Sequence, residues 1–357
     1  MENRHMAHDL AQMQSVPLEG KIIMTQLRIR AWYEHFDGQV YVSFSGGKDS
    51  TVLKHIVDSM YDDVPAVFVN TGLEYPEIQQ FVRDIKAGKY DCFNSDVEIL
   101  RPEMRFDEVV KKYGYPVISK RVGEAVETVQ NGGKGERYKM LMGEYKTKSG
   151  ELSTRFNYQK YSYLIDAPFK VSSKCCNIMK KKPMKKYAKK TGRKPIIATM
   201  ASEGTNRYMA WLKTGCNSFD SNDPKSQPLS FWTEQDIYHY IKKYNVPYAS
   251  VYGDIVFDDR TQDAIEGQMN MIDYLGCYEQ ADLLKTTGCD RTGCIFCMFG
   301  CHLEKEPNRF QRLKETHPRQ YEYCIGGGEY SEDGKLQPSK QGLGLRKVLD
   351  YIGVKYE

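Results

Sequence analysis

The chain has 357 residues, 51 of them Lys or Arg and 47 Asp or Glu, giving a formal charge of +4, with 40% hydrophobic and 12% aromatic residues. That composition excludes a disordered or fibrous chain, and the near-balance of charge excludes a uniformly basic nucleic-acid coat. The length suits one α/β core with an appended C-terminal module.

The opening stretch, MENRHMAHDLAQMQ, carries no apolar leader core, and hydrophobic runs such as AVFV are strand-length, far short of a membrane span. A cytoplasmic protein without membrane attachment is expected, with residues 1–38 as a helical lead-in. QVYVSF, from Gln39, is a β-rich run entering SGGKDS, after which Leu53, Ile56, Val57 and Met60 recur at helical spacing. VPAVFVN then enters TGLEYPE, and Pro76 opens a helix with Ile78, Phe81, Val82 and Ile85 on one face. Further strands are expected at DVEILRP and KPIIATM, with a short helix from Asp107 to Tyr113 between them. This rhythm predicts an α/β fold: a mostly parallel twisted sheet with helices on both faces.

Residues 130–153 hold five glycines and mixed charge and read as a surface insertion able to order on binding. Lys174 to Lys194 contains ten basic residues and no acidic one. Within it Pro183 suits a first helical turn, Met184, Tyr187 and Ala188 face inward, and Gly192 ends the helix. Its lysines, including Lys181, Lys185, Lys186, Lys189 and Lys190, form either a solvated face or a contact for polyphosphate or nucleic acid. NSFDSNDPKSQPLS reads as loop. Thr233, with Asp236 three residues on, starts a capped helix turning Ile237, Tyr240 and Ile241 inward, and Trp232 and Tyr240 read as core. From about Gly253 the pattern is less regular until a cysteine cluster, and Gly326-Gly327-Gly328 reads as a hinge before LGLRKVLDYIGV. The expected division is a nucleotide-binding domain over 39–252 and a cysteine-bearing module over 253–357.

In SGGKDS, Gly46 and Gly47 allow the backbone to approach an anion, and the following helix aims its free N–H groups at the same place. Ser45 and Ser50 add hydroxyls, Lys48 adds positive charge, and Asp49 either caps the turn or helps orient a metal. Neither the GxxxxGK[ST] nor the GxGxxG spacing is present. Of ten cysteines, six fall in two clusters, Cys175-Cys176 and Cys289, Cys294, Cys297 and Cys301, which favours metal or sulfur chemistry. Cys92, Cys216, Cys277 and Cys324 read as buried small hydrophobes. Cys294 and Cys297 form a CxxC pair suited to tetrahedral Zn²⁺ or a [4Fe-4S] cluster. Arg291 and Lys174 flank the thiols, and His302 is a ligand, an acid–base group or a surface residue.

SFSGGKDS resembles the pyrophosphatase-type loop of the adenine-nucleotide α-hydrolase superfamily, and in particular the phosphoadenosine-phosphosulfate (PAPS) reductase family. NTGLEYPE is similar to that family's element after the second strand, with Asn70 in place of an acid. PLSFWTEQDIYHYIKKYNVPY resembles its Trp-containing helix entry, and KCCNIMKKKPM resembles the double-cysteine segment of its iron–sulfur members. The resemblance runs from about Gln39 to Tyr252. It implies a nucleotide site built from Ser45, Gly46, Gly47, Lys48, Asp49, Ser50, Asn70, Thr71 and Gly72, taking ATP with Mg²⁺, or PAPS or APS. In TMASEGTNR, Glu203 fits the family's acidic position, whereas Met200 stands where an arginine falls and Gly204 where a serine does, leaving Arg207 to do the arginine's work. The reductases' C-terminal ECGLH has no counterpart in order, GCHL at Gly300 to Leu303 sharing only some of its residues.

Metal ligation is then implied for Cys175, Cys176, Cys294 and Cys297, with Cys289 and Cys301 as alternates. The expected activity is ATP-dependent adenylylation with pyrophosphate release, coupled to sulfur transfer to a nucleic-acid or small-molecule acceptor from a sulfur-donor partner. Lys48, Asp49, Glu203, Arg207 and Cys301 are its candidate catalytic residues. The alternatives are an adenylyl-sulfate reductase releasing sulfite through Cys301 or Cys324, and a noncatalytic nucleotide- or nucleic-acid-binding protein.

Overall fold

A computed structural model of the protein describes residues 4–258 and 283–357. The chain forms two compact units, each discontinuous in sequence. One gathers Met1–Asn70, Tyr75–Leu100 and Met184–Thr292; the other gathers Thr71–Glu74, Arg101–Pro183 and Gly293–Glu357. The sequence reading divides contiguous segments, whereas here residues 101–183 fold with the C-terminal stretch.

The strands are β1 (Val40–Phe44), β2 (Ala66–Val69), β3 (Val97–Leu100), the two-residue β4 (Val117–Ile118), β5 (Lys194–Ile197), β6 (Asn217–Ser218) and β7 (Lys225–Ser226). In the first unit six of them form one sheet in the order β3-β2-β1-β5-β7-β6. Every pairing is parallel except β6 with β7. The expected α/β sheet is therefore present, but β6 and β7 lie in the stretch read as loop; each is only two residues long and has no alternating pattern to announce it.

Both sheet faces are covered, as strand alternation requires. Val40, Val42 and Phe44 of β1 and Ala66 and Phe68 of β2 join the main core with helices Leu18–His35, Lys48–Asp58, Pro76–Lys86 and Glu234–Tyr244. Tyr41 and Val67 point the other way and meet Tyr187, Met184 and Ala188 of the basic helix Lys182–Thr191. The lead-in is helical over Ala7–Ser15 and Leu18–His35, with Ile29 and Trp32 fully buried. Thr233 and Asp236 make the expected capping box, and Asp236 also accepts from the buried Lys21 Nζ at 2.7 Å. In this unit β8 (Ile255–Phe257) pairs antiparallel with β9 (Leu284–Thr286), and residues 259–282, with the expectation for Cys277, lie outside the described residues.

In the second unit β4 pairs in parallel with β10 (Met298–Phe299), and the core includes Tyr115, Val126, Leu141, Leu164, Phe169, Phe310 and Leu345. The stretch 130–153, expected as a surface insertion able to order on binding, already carries regular structure. It contains the helix Glu136–Met142, with Leu141 fully buried, and a short pairing of Lys146 with Leu152. Gly135 and Gly143 bracket that helix, the latter left-handed at φ +78°, so the glycines act as helix ends. Gly327 and Gly328, expected as part of a hinge, are closely packed. They have φ of +69° and +81°, and a Cβ at Gly327 would lie 2.4 Å from the Gly342 nitrogen, so close backbone packing requires glycine. Cys324 is buried as expected and Cys216 packs against the main core, but Cys92 is exposed. Among the described residues no helix is long and apolar enough to cross a membrane.

Candidate functional site

In the first unit β1 has β2 on one side and β5 on the other, so the chain leaving β1 enters the crevice where strand order reverses, the usual ligand position in open α/β sheets. SGGKDS occupies that turn. Gly46 is left-handed at φ +71°, and a Cβ there would lie 2.8 Å from Ile78 Cγ2. A Cβ at Gly47 would lie 3.1 Å from both the Thr292 and Tyr252 hydroxyls. Helix Lys48–Asp58 begins at once, placing the Asp49 and Ser50 amides among its N-terminal donors. Ser50 Oγ donates to the Gly47 carbonyl at 2.9 Å and receives the Ser45 amide at 3.2 Å, which closes the loop internally.

Lys48 is 3% exposed and densely contacted. Its amide donates to Tyr252 Oη at 3.1 Å, and its Nζ donates to the Asp290 carbonyl at 2.9 Å. The same Nζ lies 3.0 Å from Glu234 Oε1 and 3.6 Å from Asp49 Oδ1, and faces the Tyr238 and Tyr252 rings at 5.6 Å each. Burial opposes its charge, but Asp49 and Glu234 outweigh burial and hold it above the usual lysine range. Burial pushes the Asp49 carboxyl up against the pull of Lys48, and its buried Oδ1 accepts no hydrogen bond. Backbone amides at a helix start beside one buried cation have the chemistry to receive an anion, and the adjacent carboxylate has the chemistry of a Mg²⁺ ligand.

Glu203 accepts the Met200 amide at 2.8 Å, pairs with Arg207 and lies 3.9 Å from Arg291. Burial, then repulsion by Arg291, pushes the Arg207 guanidinium down, while Asp49 pulls it up. Arg291, expected beside the thiols, thus belongs with these acids in the first unit. Asn70 ends β2, its amide donating to the Leu100 carbonyl at 2.9 Å. Thr71 and Gly72 belong to the second unit, where the Thr71 hydroxyl donates to Glu74 at 2.7 Å. Glu234, Tyr238, Tyr252, Asp290 and Thr292 escaped the sequence reading. Glu234 and Tyr238 stand in the Trp-containing helix entry, which was a usable signal; the last three reach the loop only through tertiary folding.

The second unit brings four thiols to one cavity. Cys175, Cys176, Cys294 and Cys297 line it with Lys180 and the apolar Leu73, Phe106 and Met179. Cys175 and Cys176 precede a π-helical turn, Asn177–Lys181, and their sulfurs are 3.9 Å apart. The CxxC turn is closed by the Cys297 amide donating to the Cys294 carbonyl at 3.1 Å and docked by the Ile295 amide donating to the Leu73 carbonyl at 2.8 Å. Arg309 donates to the Cys297 carbonyl at 2.8 Å.

The hydrogen bond from Cys175 lowers the Cys176 thiol, aided by Lys120, Lys180 and Lys181, and Cys175 is raised by holding the shared proton and by burial. Burial pushes Cys294 up to about 11 against Lys180, which bonds it, and raises Cys297 as well. Among the described residues no three His, Cys, Asp or Glu side chains are already grouped around a single-ion position. The donor chemistry, four thiols at one partly apolar cavity with a lysine, fits an iron–sulfur group or thiolate-bound zinc.

The alternates lie elsewhere. Cys289 is in the first unit, its amide donating to the Val251 carbonyl at 3.0 Å. Cys301 is buried, donates to the Met298 carbonyl at 3.1 Å and is pushed up to about 12 by burial. Cys324 is raised well above the usual thiol range by burial. Neither Cys301 nor Cys324 is presented as a nucleophile. His302 Nε2 is 3.2 Å from Tyr161 Oη, and Lys174 pairs with Glu127 at 2.5 Å.

Among known proteins, an uncharacterized protein of Methanocaldococcus jannaschii is 35% identical over 91 residues, 25% of this chain and 21% of that protein. The adenosine 5'-phosphosulfate reductase of Pseudomonas aeruginosa is 23% identical over 232 residues, 63% of this chain and 65% of the relative. The chain thus spans less than two thirds of the length of these relatives. A phosphoadenylyl-sulfate reductase from Candida auris, solved as a phosphate complex, matches with a TM-score of 0.37 and 14% identity, covering 70% of this chain and 92% of that one. The phosphoadenosine phosphosulfate reductase domain matches residues 39–131 and 136–298, a span that holds the SGGKDS loop, Glu203 and all four cavity thiols, and the chain belongs to that family.

Proposed function

We propose that the protein is a reductase of an adenylyl sulfate, APS or PAPS, releasing sulfite, with an iron–sulfur group held by Cys175, Cys176, Cys294 and Cys297. The carrying observation is the convergence of those four thiols on one cavity in a chain of this family. The likeness to an adenosine 5'-phosphosulfate reductase over 232 residues supports it. The SGGKDS amides and Lys48 bind the nucleotide phosphate, and Arg207 and Arg291 face the anionic sulfuryl end. A thiolate attacks the sulfate sulfur, the bond from sulfur to the phosphate-bridging oxygen breaks, and the nucleoside phosphate leaves. One thiol of an external dithiol then attacks the cysteine sulfur of the resulting S-sulfocysteine, sulfite departs with the bonding pair, and the dithiol's second thiol attacks the mixed disulfide, freeing the enzyme thiolate and leaving the dithiol oxidised.

With Cys301 and Cys324 buried, the first thiol in this reading is Cys289. It belongs to the unit of the loop and directly precedes Asp290, whose carbonyl holds Lys48. When bound, the iron–sulfur group would hold the four thiolates in one rigid scaffold, its net negative charge offset by Lys180 in the same cavity.

The second reading, ATP-dependent adenylylation followed by sulfur transfer, is favoured by one observation: a buried Asp49 Oδ1 without a hydrogen bond in an anion loop is a fitting ligand for the Mg²⁺ of ATP. The deciding experiment is anaerobic purification with iron, sulfide and zinc quantified, then incubation with APS, PAPS or ATP and a dithiol. Sulfite release with iron present supports the reductase. Pyrophosphate and AMP from ATP, with no sulfite from either sulfate, replaces it by the second reading.

A further inference from the structure

Within the second unit, helix Lys120–Gln130 and the stretch following it place cations on aromatic rings repeatedly. The guanidinium carbons of Arg121 and Arg155 lie 5.4 Å and 5.5 Å from the centre of the Phe156 ring, and Tyr145 meets the same ring edge-on at 5.8 Å. Lys160 Nζ lies 4.8 Å from the Tyr161 ring, which in turn meets His302 edge-on at 5.9 Å. Tyr163 is 40% exposed and packs at 5.8 Å against the partly exposed Tyr351. Lys146 and Lys148 stand exposed on the turn that pairs Lys146 with Leu152.

Arg121, Arg155 and Lys160 are exposed, and none of the ion pairs among the described residues takes them; the nearby Arg137 is paired with Glu124. From Tyr145 to Tyr163 there is one acidic residue, Glu151, against four basic and five aromatic ones. Two guanidinium groups drawn to one ring without a described carboxylate partner repel each other, and an anion between or beside them relieves that repulsion.

We propose that this surface, Arg121, Arg155, Phe156, Lys160 and Tyr161 with the Lys146–Lys148 turn, binds a single-stranded polynucleotide. Phosphates neutralise the cations while bases stack on the guanidinium planes and ring faces, the combination by which single strands are held without a duplex groove. The residues of this surface belong to the second unit and the SGGKDS loop to the first, so the proposal does not depend on which nucleotide that loop takes. It also differs from the Lys174–Lys194 run, which offers charge with few rings and has Lys174 paired with Glu127 and Lys180 turned to the thiols.

The test is fluorescence anisotropy of the full chain with labelled 20-mers of oligo(U), oligo(dT) and a mixed-sequence duplex, over a salt series. Single strands, RNA or DNA, are expected to bind more tightly than the duplex. R121Q/R155Q is expected to weaken binding about tenfold or more and to lower the slope of log affinity against log salt by about 1.4, two phosphate contacts on a single strand. R121K/R155K keeps the slope while losing part of the affinity, because ammonium carries the charge without the stacking plane. Circular dichroism and oligo binding by a K185Q/K189Q control confirm that the variants fold and that the loss is local. Absence of binding at low salt, equal binding of duplex, displacement by polyglutamate as effective as by oligonucleotide, or an unaltered R121Q/R155Q variant each overturns the proposal.

Discussion

Glu234 Oε1 lies 3.0 Å from the Nζ of Lys48, so the lysine of the SGGKDS turn is held by a carboxylate from the start of another helix. Glu234 is 41% exposed and can hydrate when released, whereas Lys48 has little access to water. Lys48→Ala is therefore expected to leave the fold largely intact and to weaken nucleotide binding by about ten- to a hundredfold, the worth of a charged hydrogen bond. Asp49→Ala should impair turnover. Calorimetric titration beside steady-state kinetics checks both, and unchanged affinity and rate would remove the loop from the site.

Lys54 and Asp58 form the buried counterpart of that pair, 2.7 Å apart with side chains 0% and 4% exposed, and Lys54 also donates to the Asn94 carbonyl at 2.8 Å. Neither can hydrate when its partner is removed. Lys54→Met should cost about 3–5 kcal/mol by stranding the carboxylate, and Lys54→Met with Asp58→Leu should recover most of it. Urea denaturation of the single and double variants measures the difference.

The proposed ligand set distinguishes the cavity thiols from Cys301. Cys294→Ser is expected to abolish iron binding and the visible absorbance of anaerobically purified protein and to lower stability, since ligation contributes folding energy. Cys301→Ser should retain the iron, because its sulfur is committed to the Met298 carbonyl. Equal iron loss in both would redraw the ligand set.

Alkali should unfold the protein early. Burial raises the Tyr41, Tyr115 and Tyr240 phenols and the Cys324 thiol above their ordinary values. A raised folded pKa means that the native state keeps a proton the unfolded chain releases. The stability these groups contribute is thus complete below the unfolded values of about 8.5 for thiol and about 10 for phenol, and is lost as pH rises past them. Denaturation midpoints at pH 8 and 10.5 should differ accordingly; equal midpoints would contradict the burial of these groups.

Gly328 tests the glycine packing. Its φ is +81°, and a Cβ would lie 2.8 Å from the Gly344 Cα. Gly328→Ala should destabilise the protein by about 1–3 kcal/mol through strain and overpacking. A true hinge would tolerate the change, so a thermal melt decides.

The SGGKDS turn was legible because its demands are local: a left-handed Gly46, a close approach at Gly47 and a helix starting at Lys48 are all written within six adjacent residues. The sheet was legible for the same reason, through Val40 to Phe44 and Ala66 to Val69, whose alternation matches two covered faces. Tyr252, Asp290 and Thr292 were not legible, because nothing near them in sequence shows that they return to the loop. Joining Cys175 and Cys176 to Cys294 and Cys297 needed the family resemblance, since spacing alone equally allows the four C-terminal cysteines. Glycine misled twice, at residues 130–153, where it ends a helix, and at Gly326 to Gly328, where it lets backbones touch.

The thiol cavity joins two cysteines to two others more than a hundred residues further on. A ribosome adding about 5–20 residues per second takes on the order of ten seconds to cross that interval. Throughout it Cys175 and Cys176 are already made while the CxxC pair does not yet exist. Any centre that uses all four thiols can therefore assemble only after Cys297 is made, and slower translation lengthens the time during which the first pair is open to oxidants and stray metal ions.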